Sequence, residues 1–213
     1  MTIIYEDSRI LAVSKPAGQL VIVGRGDQRE PLNRELERRS GAKVFVVHRL
    51  DQEASGLVLF AKDAASHRSL CLQFEERKVS KTYLALVEGA VAAEGLVDKP
   101  LREFGSGRMG VDVAGKPSLT RYRIKERFEG ATLLEVEPVT GRRHQIRVHL
   151  WAIGHPILGD TVYGKNRPVG GAARLMLHAL EAQFLDFESR SLRLCAPPPD
   201  DFAAILNSFR PTA

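Results

Sequence analysis

Two short apolar runs, residues 44–47 (Val44-Phe45-Val46-Val47) and 57–61 (Leu57-Val58-Leu59-Phe60-Ala61), stand on either side of a mostly polar stretch from His48 to Gly56. Short β-branched runs bounded by turn residues read as buried strands, so the intervening segment is expected to be a loop held between two rigid strands. That loop carries an acid, Asp51, between Arg49 and a turn at Ser55-Gly56. Loops positioned by a rigid scaffold are where catalytic groups concentrate. On residue type alone Asp51 has a second reading, as an acid that caps its turn or pairs with Arg49.

The rest of the chain supplies many strands with helices interspersed irregularly. Strand-like runs at 3–5, 10–14 and 19–23 are broken by Glu6-Asp7-Ser8 and Pro16-Ala17-Gly18, and together they predict a small β-meander. Pro31 at a first helical position and Gly41 beyond the end predict a short solvated helix over 31–40. Leu70 and Phe74 at helical spacing predict a packing helix over 64–76, and alternation with a closing Gly89 predicts a strand over 81–88. A hairpin is expected around Glu129-Gly130, joining 120–128 to 131–139, then a helix over 142–153 with Ile146, Leu150 and Ile153 on its apolar face. Further structured runs fall at 175–187 and 192–195, with a last helix at 199–209. The stretch 105–115, with four glycines, is expected to be a mobile loop. Without βαβ alternation, the pattern argues for an α+β fold with a mixed, largely antiparallel sheet and flanking helices. With 213 residues, no internal repeat and no composition break, a single domain is expected.

Lysine and arginine total 31 against 26 acids, a net charge of +5 that leans towards polyanionic partners. The lean is concentrated in one place. Gly141-Arg142-Arg143-His144-Gln145-Ile146-Arg147-Val148-His149 packs three arginines and two histidines into nine residues, and no acid occurs between Glu137 and Asp160. On a helix Arg143 and Arg147 would project together, one turn apart, and the helix start would add free amides that favour phosphate or carboxylate. The alternative is a basic helix face, paired with nearby acids or solvated.

The two cysteines, Cys71 and Cys195, lie far apart without CxxC or Cys/His spacing, so no zinc site is suggested and a reduced, cytoplasmic setting is expected. The start lacks a basic leader, and no run approaches membrane-spanning length. No membrane partner is expected, and without an exposed heptad the expected state is a monomer.

His48-Arg49-Leu50-Asp51 followed by Ser55-Gly56-Leu57 resembles the active-site motif of the RluA family of pseudouridine synthases, which isomerise uridine to pseudouridine in RNA. Four further stretches resemble signatures of that family in the same order: Lys15-Pro16, Lys81 to Gly89 around Tyr83, the basic segment 141–149, and His155 to Gly164 followed by Arg174 to Ala179. Ala54 stands where the family usually has threonine, and Arg143 where it usually has serine or threonine.

The resemblance implies a pseudouridine synthase fold with a central RNA-binding cleft, no cofactor and no metal. It implies Asp51 as the catalytic acid, Tyr83 against the target uracil and Arg147 facing Asp51, with Arg49 filling the gap left by a flipped nucleotide. Arg49 has a second reading, as a brace of its own loop. His48, Arg142, Arg143, His144 and Gln145 are the expected RNA contacts, and Leu175 and Leu177 the expected walls of the base pocket. The implied partners are stem-loops of 23S ribosomal RNA, tRNA or both. Residues 93–101 and the short chain resemble the member that acts on both, and a start at residue 3 leaves no room for a preceding S4 domain. The competing class is a non-catalytic RNA-binding module of ribosome assembly.

Overall fold

The computed structural model describes residues 1–24, 29–164 and 170–210. The chain opens with β1 (Thr2–Glu6) and β2 (Ile10–Lys15), antiparallel about a turn in which the Asp7 carboxylate accepts the Arg9 and Ile10 amides at 2.7 and 2.6 Å. The run 19–23 is not a third strand of a meander. Its carbonyls serve the next helix: Leu20 O and Val21 O accept the Leu32 and Asn33 amides at 2.8 and 3.2 Å. That helix, α1 (Leu32–Ser40), starts after Pro31 without a side-chain cap, so its first amides need backbone acceptors. It ends, as its sequence predicts, at Gly41 in the left-handed conformation.

Next come β3 (Phe45–Val46) and β4 (Ser55–Ala61), then α2 (Ala64–Glu75), whose start is capped by the Asp63 carboxylate on the Ser66 amide at 2.8 Å. They are followed by β5 (Ser80–Glu88), β6 (Gly95–Asp98), β7 (Leu101–Glu103) and β8 (Met109–Val111). The glycine-rich stretch expected as a mobile loop contains a strand, β8, paired antiparallel with β7. The predicted hairpin is β9 (Leu119–Phe128) with β10 (Ala131–Pro138), and α3 (Gln145–Ala152) follows it. The chain then forms β11 (Leu177–Leu185), β12 (Ser191–Cys195) and α4 (Asp200–Ser208).

These elements fall into two compact units, Met1–Lys81 with Ala179–Pro198, and Thr82–His178 with Pro199–Ala213. The chain passes between units three times, inside β5, inside β11 and between Pro198 and Pro199 ahead of α4, so two of the three crossings run through strands rather than linkers. In the first unit β2 pairs with β1 and β4, β3 adds to β4, and β12 pairs with β11, all antiparallel. All seven residues of β4 are buried. A strand covered on both faces reads as a continuous apolar run rather than an alternation, which is the pattern at 57–61. Ile10, Ala12, Leu57, Leu59, Leu70, Phe184 and Leu194 pack together as its core.

In the second unit β5, β10, β9 and β6 form an antiparallel series in that order, with Val136 opposite Tyr83. A separate cluster of Leu101, Met109, Val148 and Tyr163 seats the β7–β8 hairpin on α3. Every strand pair whose register is described is antiparallel. Among the described residues no helix is long and apolar enough to cross a membrane.

Candidate active site

Asp51 lies on the loop between β3 and β4, as the flanking runs predict, and it is partly buried. Its carbonyl accepts the Ala54 amide at 3.2 Å, closing a tight turn, and Ala54 and Ser55 beyond it are buried. The neighbouring Gln52 carbonyl accepts the Gly18 amide at 2.8 Å and the Lys15 ammonium at 3.0 Å. The same ammonium donates to Pro16 O at 3.0 Å and Gln19 O at 2.9 Å, so one buried lysine laces the 16–19 turn to the Asp51 loop.

His48 turns inward. The Leu59 amide donates to its Nε2 at 3.0 Å and its ring stacks on Phe74, with centroids 4.8 Å apart. Burial pulls the imidazole down to about 3, with the Lys81 ammonium acting in the same direction, so the ring is neutral at ordinary pH. Nε2 of this residue, expected as an RNA contact, serves a backbone amide and ties the start of the loop to β4. Arg49, beside it, is exposed.

In the second unit Tyr83 lies near the start of β5, partly buried, opposite Val136. Arg147 lies on α3 and is 1% exposed. Its guanidinium forms a two-pronged pair with Asp160, Nε to Oδ2 at 2.8 Å and Nη2 to Oδ1 at 2.9 Å. Asp160 Oδ1 also accepts the Val162 and Tyr163 amides at 2.9 and 3.0 Å. Burial alone would raise the Asp160 carboxyl, but the bonds and charge of Arg147 together with the Tyr163 and Val162 amides outweigh it and hold the group below the ordinary carboxylate range. The Tyr163 ring lies 5.4 Å from the Arg147 guanidinium and 5.0 Å from that of Arg108. Sequence reading had not assigned Asp160 a role, although it is the acid that ends the long acid-free stretch beginning after Glu137.

The basic segment differs from its expectation at its start. The helix begins at Gln145, not Arg142, and His144 precedes it in the left-handed conformation at φ 53°. Arg143 is therefore not on the helix face of Arg147. Its guanidinium pairs with Glu103 at 2.7 Å, both groups about half exposed. The Arg142 amide is not free for an anion, since it donates to Gln145 Oε1 at 3.1 Å, while its Nε is buried without a described partner.

Gln145, expected to touch RNA, is 3% exposed and is the hub of an internal network. Its Oε1 accepts from Thr140 Oγ1 at 2.6 Å, and its Nε2 donates to Leu119 O at 2.9 Å and Thr120 Oγ1 at 3.0 Å. The Thr120 hydroxyl is 2.8 Å from His149 Nδ1, and His149 Nε2 is 2.9 Å from Lys99 O. A carbonyl only accepts, so Nε2 carries the proton and Nδ1 accepts. His144 Nδ1 is 2.9 Å from the Tyr163 hydroxyl. Leu175 and Leu177 are buried at 1% and 3%. Among the described residues no group of three His, Cys, Asp or Glu side chains is arranged to hold a metal.

The fold that carries these residues is the pseudouridylate synthase fold. Two human structures share that fold over most of the chain. RNA pseudouridylate synthase domain containing 4 matches with a TM-score of 0.82, 25% identity and coverage of 98% of this chain and 92% of that one. Domain containing 1 matches at 0.79, 29% identity and coverage of 93% and 83%.

The RNA pseudouridylate synthase family matches residues 9–152, and the chain belongs to that family. It is 37% identical to ribosomal large subunit pseudouridine synthase D of Nitrosomonas europaea over 99% of its own length and 65% of that protein's. It is 39% identical to the dual-specificity RNA pseudouridine synthase RluA of Vibrio vulnificus over 98% of its own length and 89% of that protein's.

Proposed function

We propose that this protein isomerises uridine to pseudouridine in structured RNA, with Asp51 as the acid that carries the chemistry. The observation that carries the reading is the placement of Asp51 on a loop tied to the scaffold through Gln52 and its own Ala54 turn, within the segment matched by the family. Isomerisation breaks the N1–C1′ bond, turns the uracil and joins C5 to C1′, with no net redox change. Asp51 acts ionised, by attack at C1′, by addition to C6 or by removal of the 2′ proton.

The remaining roles rest on the resemblance of the motifs. By that resemblance Arg147, two of whose five N–H donors go to Asp160, is the opposite charge that favours an ionised Asp51. Tyr83 packs against the uracil. A uridine in a stem or stacked loop must leave its stack at a cost of roughly a few kcal/mol, and the exposed Arg49 guanidinium suits the gap it leaves. The names of the relatives support ribosomal RNA, tRNA or both as substrate, and the reading takes the protein as a cytoplasmic monomer that needs no cofactor.

The test uses 23S ribosomal RNA and tRNA transcripts carrying tritium at uridine C5. Wild type is expected to release tritium and leave pseudouridine detectable by carbodiimide labelling, and Asp51→Asn to release none above background. Release unchanged by Asp51→Asn would remove Asp51 from this role, and free uracil as product would make the enzyme a hydrolase.

A further inference from the structure

The antiparallel ladder of β3 on β4 pairs Phe45 with Ala61 and Val46 with Phe60, and there it stops. Continued by one step, it would set Val47 opposite Leu59. The Leu59 amide is not left without an acceptor at that point, because it donates to His48 Nε2 at 3.0 Å. The last carbonyl of β3, that of Val46, is in turn 3.1 Å from His67 Nε2 on α2. Two imidazoles therefore take the backbone groups at the end of a strand, and the chain is released into the loop that carries Arg49 and Asp51.

We propose that His48 is a positioning residue for Asp51: by taking the Leu59 amide in place of a strand partner and stacking on Phe74, it fixes where the loop leaves the sheet. This rests on the reading of Asp51 as the reacting acid. Leu59 is wholly buried, so a lost acceptor leaves an amide that water cannot satisfy. The ring is held from two sides, by the β4 amide and by Phe74 of α2. At its far end the loop is held by Gln52 O, bound to Lys15 Nζ and the Gly18 amide. Asp51 lies between these two anchors. Slack at the His48 end would move the carboxylate while leaving the protein surface outside this loop unchanged.

The experiment compares wild type, His48→Phe and His48→Gln. Phenylalanine keeps the stack and deletes the acceptor; glutamine restores an acceptor oxygen at similar reach. Tritium release from C5-labelled 23S and tRNA transcripts is expected to show kcat about 100-fold lower in His48→Phe, the scale of a displaced reacting group, with KM within about 3-fold. His48→Gln is expected to recover most of the loss. Amide hydrogen exchange of residues 49–54 is measured on the same samples without RNA. It is expected to quicken in His48→Phe and return in His48→Gln.

Exchange unchanged in His48→Phe would overturn the proposal, and so would quickened exchange with an undiminished kcat. If wild type releases no tritium while exchange responds as expected, the isomerase reading fails and the positioning of the loop by His48 stands on exchange alone.

Discussion

Arg147 and Asp160 meet through two parallel hydrogen bonds of 2.8 and 2.9 Å, with both side chains only 1% exposed. A buried pair of this kind is weak evidence of stability in itself, because desolvation of two charges offsets much of their attraction. Removing one partner is another matter, since it leaves a buried charge uncompensated. Asp160→Asn is expected to destabilise the protein by about 3–5 kcal/mol. Urea unfolding at pH 7 checks it, and a loss below about 1 kcal/mol would mean that other acceptors already neutralise Arg147.

The pH dependence of stability follows from three buried groups. His48 has its folded pKa lowered from 6.5 to about 3, and burial lowers His149 as well. A base that is neutral when folded contributes stability that is complete above the unfolded value and is lost as pH falls below it, because the unfolded chain then binds more protons. Asp160, held below the ordinary carboxylate range by Arg147, adds a loss only at lower pH, as the folded carboxyl protonates. Unfolding free energy is therefore expected to fall between pH 7 and pH 5 through the histidines, then more steeply towards pH 3. Urea titrations across that range check it, and His149→Gln should flatten the slope between pH 7 and pH 5 whatever its effect on absolute stability.

Patterns carried by local sequence were legible. The unbroken apolar run of β4, the Glu129-Gly130 hairpin and the Pro31 and Gly41 boundaries of α1 each follow from forces acting within a few residues. The misreadings share a non-local cause. Leu20 and Val21 look like strand residues, but their carbonyls are taken by the first amides of α1. Arg142 and Arg143 look helical, but the network around Gln145 and the positive φ of His144 delay the helix. For the site, the loop setting of Asp51 could be read from the strands beside it, whereas the inward turn of His48 depends on an amide of β4 and a ring of α2.

Gly56 tests how tightly the end of the Asp51 loop is packed. It sits at φ 116°, a conformation that disfavours side chains, and a Cβ there would collide with the Ala179 backbone. Backbone cannot move aside as a flexible side chain can. Gly56→Ala is expected to cost upwards of about 3 kcal/mol, from overpacking and the positive φ together. Gly130→Ala shares a positive φ but meets nothing within 4 Å, so about 1–2 kcal/mol is expected there. Thermal unfolding of the two variants checks the difference, and equal losses would mean that the backbone near Ala179 yields.

Lys15 is the least expected support of the site, a lysine 1% exposed whose ammonium reaches three backbone carbonyls. Its three N–H donors match those three acceptors, Pro16 O, Gln19 O and Gln52 O. Lys15→Met keeps the stem and removes the donors, so the three carbonyls lose charge-assisted bonds and the 16–19 turn loses its tie to the Asp51 loop. A loss on the order of 3 kcal/mol in urea unfolding is expected, with faster amide exchange at residues 16–19 and 51–54. Lys15→Arg should not rescue it, because a planar fork cannot reproduce the three directions of an ammonium. Full rescue by arginine would mean that charge in this pocket, rather than the geometry of the three bonds, holds the loop.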